Sequence, residues 1–240
     1  MTPTTTHPLF APRRTLLVAA SAAAGLALLA PLASGQGNPN KPPPKQPAAI
    51  SLDAKPNPIV FSTTTALSGR LTNVAQAGGV KIRFEQDATR PYGDDYKPSA
   101  LTATTANNGR WSVSAKPATN TQYRAIAQAS PPVTSPARLV LVRTLVGLRV
   151  SDSTPRRGSL VRFSGSVFPA HDGSRALIQR RTSSGGWATL ARPALLDAGT
   201  LKSTYTKQLR VRSDGVYRVK VAGDGDHVNG FSRTRTLVVH

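Results

Sequence analysis

Apolar and polar side chains alternate along short runs in the region after residue 50, and clusters of Gly, Pro, Asn or Asp separate these runs. Alternation with a period of two predicts β-strands with one face in a core, and the clusters predict the turns between the strands. No window of this region shows the apolar spacing of an amphipathic helix, so the pattern predicts an all-β protein. Around residues 209–221 it predicts five core side chains: Leu209, Val211, Tyr217, Val219 and Val221.

The region contains one internal repeat, which predicts the number of domains. Four pairs of segments match: Leu67–Leu71 with Phe163–Val167, Val80–Ile82 with Ala176–Ile178, Tyr123–Ile126 with Tyr217–Lys220, and Leu139–Val142 with Leu237–Val239. The first two pairs share an offset of 96 residues. Because this spacing suits one sandwich domain, we predict a first domain over residues 50–143 and a second over residues 144–240.

The N-terminal segment has the order of a signal peptide. Arg13 and Arg14 precede an apolar run, Leu16–Leu32, and small residues follow at 33–35. A permanent membrane helix needs about 20 apolar residues, so this run predicts a cleaved signal over residues 1–35, with an uncleaved anchor as the alternative. The paired arginines also resemble a twin-arginine export signal, and the export route therefore stays open.

Residues 36–49 form a proline-rich linker. Their prolines favour an extended polyproline II conformation, and they contain no apolar pattern that could enter a core. The junction between the two repeats, at residues 143–145, has no proline or glycine run, which predicts that the two domains abut directly.

Three aromatic positions narrow the type of sandwich. Asp214 precedes Tyr217 as in the tyrosine corner of immunoglobulin-like domains, Tyr123 occupies a similar position in the first repeat, and Trp111 lies at a predicted strand start. On these motifs the two repeats resemble the immunoglobulin-like repeats of exported actinobacterial proteins. The resemblance implies two tandem immunoglobulin-like β-sandwiches; a carboxypeptidase-regulatory or transthyretin-like sandwich is the alternative fold.

The composition points to anionic partners. The chain has 31 basic and 11 acidic residues and a formal charge of +20, which the loss of Arg13 and Arg14 with the signal would lower to +18. The predicted second domain has 16 basic and 6 acidic residues, and the first has 11 and 5. Such an excess favours anionic partners, such as acidic cell-wall polymers, anionic lipid surfaces or nucleic acid, by long-range attraction. The chain contains no cysteine, so each domain must depend on its own apolar core.

The second domain contains the densest set of candidate binding residues. Alternation predicts that several basic side chains share the outward face of one sheet and could bind an anionic polymer: Arg180, Arg181, Arg210, Arg212, Arg218 and Lys220. A solvated face that keeps the domain soluble is the competing interpretation. Nucleic acid is disfavoured, because no aromatic residues interleave with these arginines as a stacking platform requires.

Catalytic patterns are missing from the sequence. There is no Gly-x-Ser-x-Gly motif, and Glu85 is the only glutamate, so no pair of carboxylates suits glycoside hydrolysis. His171 lies in a predicted turn, and His227 and His240 complete the histidines after the signal. These observations predict a protein that is not an enzyme and has no cofactor.

Two loops contain clustered acidic residues. Asp224 and Asp226, in the run Gly223–His227, are weak candidates for calcium ligands, but the further ligands of a calcium loop do not follow. A polar loop between strands F and G accounts for the same residues, and we predict no metal site. Asp94 and Asp95 lie among tyrosines in a long polar segment, which suits either a sugar-binding loop or an exposed irregular loop.

Three functional hypotheses follow. The first is a secreted or envelope-associated, non-catalytic module for adhesion, wall association or spacing, with an envelope protein as a candidate partner. The second is binding of an anionic polysaccharide by the second domain. The third is a pair of accessory domains that act with a separate extracellular enzyme. Beyond the signal, the sequence predicts no transmembrane segment.

Overall fold

The computed structural model describes residues 45–240, and every regular element in this range is a β-strand. The predicted signal peptide and most of the predicted linker lie outside the described residues. The predicted all-β class is confirmed, and the strands divide into two β-sandwiches, one before Thr144 and one after it.

The first sandwich contains eleven strands: β1 (Ala49–Ile50), β2 (Asp53–Lys55), β3 (Ile59–Val60), β4 (Thr65–Thr72), β5 (Lys81–Asp87), β6 (Lys97–Thr104), β7 (Arg110–Ala115), β8 (Thr121–Ala127), β9 (Val133–Thr134), β10 (Arg138–Val140) and β11 (Val142–Arg143). In one sheet β4 pairs with β1, β2 and β7, and in the other the order is β6–β5–β8, with β9 and β10 along β8. In immunoglobulin lettering these sheets are A–B–E and C′–C–F–G. A short parallel pair, β3 with β11, forms a separate two-stranded sheet.

The second sandwich repeats this arrangement with ten strands: β12 (Leu145–Val146), β13 (Arg149–Val150), β14 (Leu160–Phe168), β15 (Ala176–Arg181), β16 (Trp187–Ala191), β17 (Leu196–Asp197), β18 (Ser203–Arg210), β19 (Gly215–Val221), β20 (Gly230–Phe231) and β21 (Arg235–Leu237). One sheet joins β12 and β13 to β14, then β18 and β17 (A–B–E–D). The other runs β16–β15–β19, with β20 and β21 along β19 (C′–C–F–G). The chain therefore forms two tandem immunoglobulin-like sandwiches.

Each sandwich has its own core, which the alternating residues fill. In the first, the rings of Phe84 and Trp111 meet edge to face at a centroid distance of 5.4 Å, and in the second Phe163 and Tyr217 meet at 5.3 Å. Of the five core positions predicted around residues 209–221, four are buried, and Leu209 is partly buried against them. The alternation therefore predicted this part of the core correctly.

A glycine in strand B of each sandwich allows strand A to approach very closely. A Cβ on Gly69 would lie 1.8 Å from the carbonyl oxygen of Ser51, and one on Gly165 would lie 2.1 Å from that of Gly147. In the second sandwich the hydroxyl of Tyr205, from strand E, donates a hydrogen bond of 2.7 Å to the same Gly147 oxygen. The repeated Ser-Gly pair therefore marks a crossing where any side chain would separate strands A and B.

The offset between matching residues of the two domains changes along the chain. Gly69 and Gly165 are 96 residues apart, but in strand C the residue opposite Arg124 is Glu85 and the residue opposite Arg218 is Gln179, an offset of 94. The predicted match of residues 80–82 with 176–178 is therefore wrong by two residues, because the first domain has two additional residues between these parts of strands B and C. A shift of two keeps side chains on the same face, so the predicted core positions are unaffected.

Candidate functional site

The predicted basic face does not exist as one surface. Arg218 and Lys220 lie on β19, in the C′–C–F–G sheet, but Arg210 ends β18 in the opposite sheet, and Arg212 follows it in the connection. The prediction of one shared sheet is wrong because the segment after Arg210 crosses from one sheet to the other. Alternation along two consecutive strands cannot distinguish this crossing from a hairpin within one sheet.

Arg180 and Arg181 differ in their surroundings. Arg180 pairs with Tyr217 in the register between β15 and β19. Its side chain donates hydrogen bonds to the hydroxyl of Ser213 (2.8 Å) and to the carbonyl oxygen of Asp214, just before β19. Arg181 is exposed at the end of β15. Arg180 therefore has a structural contact at the position where a binding contact was predicted.

Arg218 is held between two aromatic rings. Its guanidinium carbon lies 4.0 Å from the ring centroid of Trp187 and 4.6 Å from that of Phe231, and its Nε donates a 2.9 Å hydrogen bond to Gln179. Such cation–π contacts stabilise a partly desolvated cation. The first domain has a similar arrangement: the guanidinium carbon of Arg124 lies 4.1 Å from the centroid of the Tyr96 ring, and Arg124 forms an ion pair with Glu85.

Four residues were predicted to have structural roles, and they occupy core or edge positions: Trp111, Tyr123, Asp214 and Tyr217. Trp111, Tyr123 and Tyr217 are buried, and burial raises the pKa of Tyr123 to about 12. Among residues 45–240, no hydrogen bond of the Tyr217 hydroxyl is found, so the corner hydrogen bond of immunoglobulin domains is not formed here. Instead, the Asp214 carboxylate accepts the N–H of Val239 at 2.7 Å and ties the last strand to the start of β19.

Three arginines that the sequence did not single out line one groove. The groove has a volume of about 1120 Å³ and runs along strand A of the second domain, over Gly147 and Tyr205. Arg149, Arg233 and Arg235 line it together with several exposed apolar side chains. They come from β13 and from the last strand region, which are distant in sequence, so alternation within one strand could not group them.

The two sandwiches meet through the F–G loop of the second domain, residues 222–229. The N–H of Val228 donates to the carbonyl oxygen of Val142 at 2.8 Å, and the carbonyl oxygen of Asp226 accepts the N–H of Asn120 at 2.7 Å. The Tyr92 hydroxyl, from the long polar segment of the first domain, donates to the carbonyl oxygen of Gly225 at 3.3 Å. The two domains therefore abut directly, as the sequence of the junction predicts.

The long polar segment of the first domain is organised by Asp87. This buried carboxylate accepts hydrogen bonds from the backbone N–H groups of Thr89 (3.0 Å), Gly93 (2.7 Å) and Asp95 (3.3 Å). These N–H groups, with Thr89 and Gly93 the strongest, lower the pKa of Asp87 to about 2. Tyr92 contacts the second domain, and the Tyr96 ring is covered by Arg124. Because both tyrosines make contacts within the protein, the geometry of the segment does not support the sugar-binding interpretation.

A cluster of titratable side chains lies beside the junction. His171, in the turn after β14, and Asp224 and His227, in the F–G loop, bring their ligand atoms within 4.8 Å of one another. The Nε2 of His171 is 3.1 Å from Asp224 Oδ2, and the Nδ1 of His227 is 3.4 Å from Asp224 Oδ1. Both imidazoles are 6% exposed and the carboxylate is 46% exposed, so the cluster is buried on one side and open on the other.

The second nitrogen of each histidine faces a backbone carbonyl. His171 Nδ1 is 2.8 Å from the oxygen of Pro169, and His227 Nε2 is 3.0 Å from the oxygen of Ala118 in the first domain. Burial opposes ionisation of Asp224, but hydrogen bonds from the backbone N–H groups of Asp226 and His227 hold the pKa of Asp224 below its usual value. The cluster is therefore an anionic oxygen next to two imidazole nitrogens.

The sequence prediction for this loop was right in one respect and incomplete in another. Residues 223–227 do form the polar F–G loop, and residues 171–173 do form a turn. Asp226, however, is outside the cluster, and the histidines take its place beside Asp224. The sequence does contain both histidines, which are common metal ligands. Because they are more than 50 positions apart, no local sequence motif could predict that they meet beside Asp224.

Within residues 45–240 no helix is long and apolar enough to cross a membrane. No protein-family model and no curated protein matches the chain.

Solved structures give distant likenesses. A tetra-tandem repeat from the extending region of a large adhesion protein is 18% identical, with a TM-score of 0.32, over 79% of this chain and 48% of that one. Red sea bream transglutaminase is 12% identical (TM-score 0.37; 81% and 32%), and bovine butyrophilin is 10% identical (TM-score 0.33; 76% and 97%). The chain thus spans about half of the adhesion-protein repeat structure, and at these TM-scores none of the three likenesses bears on function.

Proposed function

We propose that the chain is an exported, non-catalytic immunoglobulin-like module that attaches or spaces components of the cell envelope, like the repeats of exported actinobacterial proteins. The observation that carries the proposal is the junction, where backbone hydrogen bonds from one F–G loop join the two sandwiches. A spacer must transmit length and direction, and a docked pair of domains does this better than two domains on a free linker. The signal pattern at the N-terminus supports export.

A distance measurement between the domains tests the spacing function. Because the chain contains no cysteine, the exposed residues Ser114 and Gln208 can be changed to cysteine and spin-labelled, one in each domain. We expect pulsed dipolar spectroscopy to give one narrow distance distribution. A control pair within the second domain, Gln208→Cys with Thr236→Cys, defines the width that the labels alone produce. A distribution much broader than this control would contradict a stiff unit.

Binding of an anionic polysaccharide is a second candidate function, and the groove beside Arg149, Arg233 and Arg235 favours it. Three guanidinium groups on one apolar groove can form charge-assisted hydrogen bonds with the carboxylates of a polymer. The groove lies elsewhere than the basic residues singled out by alternation, so the two sets can be compared directly.

The comparison uses two triple variants that each remove three positive charges. Changing Arg149, Arg233 and Arg235 to glutamine is expected to weaken binding of polygalacturonate by about tenfold or more at low salt, because charge-assisted contacts are lost. The matched control changes Arg181, Arg210 and Arg212 to glutamine and is expected to weaken binding much less. Equal losses in both triple variants, which disappear together at high salt, would indicate attraction by net charge alone.

A further inference from the structure

We propose that His171, Asp224 and His227 form a binding site for a divalent transition-metal ion such as Zn²⁺. The three side chains come from two loops, and their ligand atoms converge within 4.8 Å. The proposal goes beyond the spacing function and does not depend on it, because all three ligands belong to the second domain.

Backbone carbonyl groups fix the orientation of the two imidazoles. The carbonyl oxygens of Pro169 and Ala118 each face one ring nitrogen at hydrogen-bond distance, and a carbonyl can only accept, so that nitrogen must carry the proton. In the neutral rings the lone pairs are then at His171 Nε2 and His227 Nδ1. Carbonyl groups that fix the tautomer in this way are the usual support of metal-binding histidines.

His171 Nε2 and His227 Nδ1 lack hydrogen-bond partners among the described residues. Both nitrogens are buried, and Asp224 is close to each. A buried polar atom without a partner is costly, and native proteins rarely keep two side by side. A metal ion between the nitrogens and the carboxylate would satisfy both lone pairs at once.

The chemistry and the spacing of the three donors suit a transition-metal ion. Two imidazole nitrogens and one carboxylate oxygen suit Zn²⁺ and similar ions, whereas Ca²⁺ requires six or more oxygen ligands. Ligands about 2.0–2.1 Å from a tetrahedral ion are roughly 3.3 Å apart. The distances from His171 Nε2 to Asp224 Oδ2, 3.1 Å, and from His227 Nδ1 to Asp224 Oδ1, 3.4 Å, are close to this value, so each imidazole approaches a different oxygen of the same carboxylate. The exposed side of Asp224 leaves room for a water molecule as a fourth ligand.

Metal binding would also affect the junction. Asp224 and His227 belong to the F–G loop that docks on the first domain, and the His227 ring itself contacts Ala118 and lies edge-on to Phe61, at 6.3 Å between ring centroids. An ion that joins this loop to the turn of His171 would hold the docking loop in its bound conformation. The ion would therefore stabilise the two-domain unit as well as the loop.

Titration of the purified protein with ZnCl₂ and CoCl₂ at pH 7.5 tests the site. We expect one ion per chain by calorimetry and visible absorption bands of four-coordinate Co²⁺. At about 100 times the dissociation constant, Zn²⁺ is expected to raise the melting temperature by roughly 5–10 °C.

Three variants remove one ligand each and keep the surrounding hydrogen bonds. His171→Asn retains a donor for Pro169, His227→Gln retains a donor for Ala118, and Asp224→Asn retains the oxygen that accepts from the backbone of residues 226 and 227. Each is expected to weaken Zn²⁺ binding by at least about 100-fold. The matched controls His240→Ala and Asp226→Asn remove an exposed histidine and an exposed carboxylate of the same chain and should bind as the wild type does.

Three results would overturn the proposal: no binding by the wild type at 100 times the protein concentration of Zn²⁺, unchanged affinity in the ligand variants, or equal losses in the controls. The melting temperature of each variant without metal shows whether it is folded. Because His171→Asn leaves the contacts of the F–G loop with the first domain in place, it remains informative even if His227→Gln destabilises the junction.

Discussion

Gly69→Ala is expected to lower the free energy of unfolding of the first domain by about 3 kcal/mol, at the upper end of the cost of overpacking. The added Cβ would lie 1.8 Å from the carbonyl oxygen of Ser51 and 2.7 Å from the ring of Trp111. Since one contact is with backbone, rotation of a side chain cannot relieve it, and strand A must move away from strand B. Where alanine fits without strain, replacing glycine by alanine stabilises a protein by lowering the entropy of the unfolded chain, so a loss of stability here would itself indicate the close contact.

Urea unfolding followed by tryptophan fluorescence measures this effect, because Trp111 is part of the affected contact. The matched control is Gly225→Ala, where an added Cβ has nothing within 4 Å. This control is expected to change the free energy of unfolding by no more than about 0.5 kcal/mol. Similar values for both variants would show that the close approach of strands A and B is not needed for stability.

Phe163→Ala is expected to lower the free energy of unfolding of the second domain by about 4 kcal/mol, because it removes a fully buried aromatic side chain. The Phe163 ring packs on Tyr217 at 5.3 Å between ring centroids, at the centre of the core. Because the F–G loop of this domain docks on the first domain, loss of the second domain also removes contacts from the first. We therefore expect part of the destabilisation to be transmitted across the junction.

The two tryptophans make this transmission measurable, since Trp111 lies in the first domain and Trp187 in the second. In a Trp187→Phe background, Trp111 reports the first domain alone, and Phe163→Ala should lower its urea midpoint. The control Leu201→Ala truncates a side chain that is 74% exposed and should change neither domain by more than about 0.5 kcal/mol. An unchanged Trp111 midpoint in Phe163→Ala would mean that the domains unfold independently.

The alternation of apolar and polar residues predicted correctly which side chains of a single strand are buried in the core. Val211, Val219 and Val221 are buried as predicted, because side chains two residues apart must lie on the same face of a strand. The same rule failed for Arg210 and Arg218, which were assigned to one surface and lie in different sheets. The rule gives the face of each strand but not which sheet the next strand joins.

The candidate metal ligands show a second limit of the sequence. Asp224 drew attention because it lies in a glycine-rich acidic loop, but its neighbours in space are His227, three residues later, and His171, far earlier in the chain. Both histidines look like loop residues in the sequence. Only the closing of the sandwich brings the B–C turn and the F–G loop to the same end, next to the first domain.

For this chain, local sequence determined the all-β class, the repeat and the buried face of most strands, because these depend on the period of two and on turn residues. The tertiary structure decided which basic residues share a surface, which loop joins the domains and which side chains meet Asp224. Those contacts depend on strand order and on the register between segments that are up to 133 residues apart in the sequence, and a strand's own pattern carries no information about either.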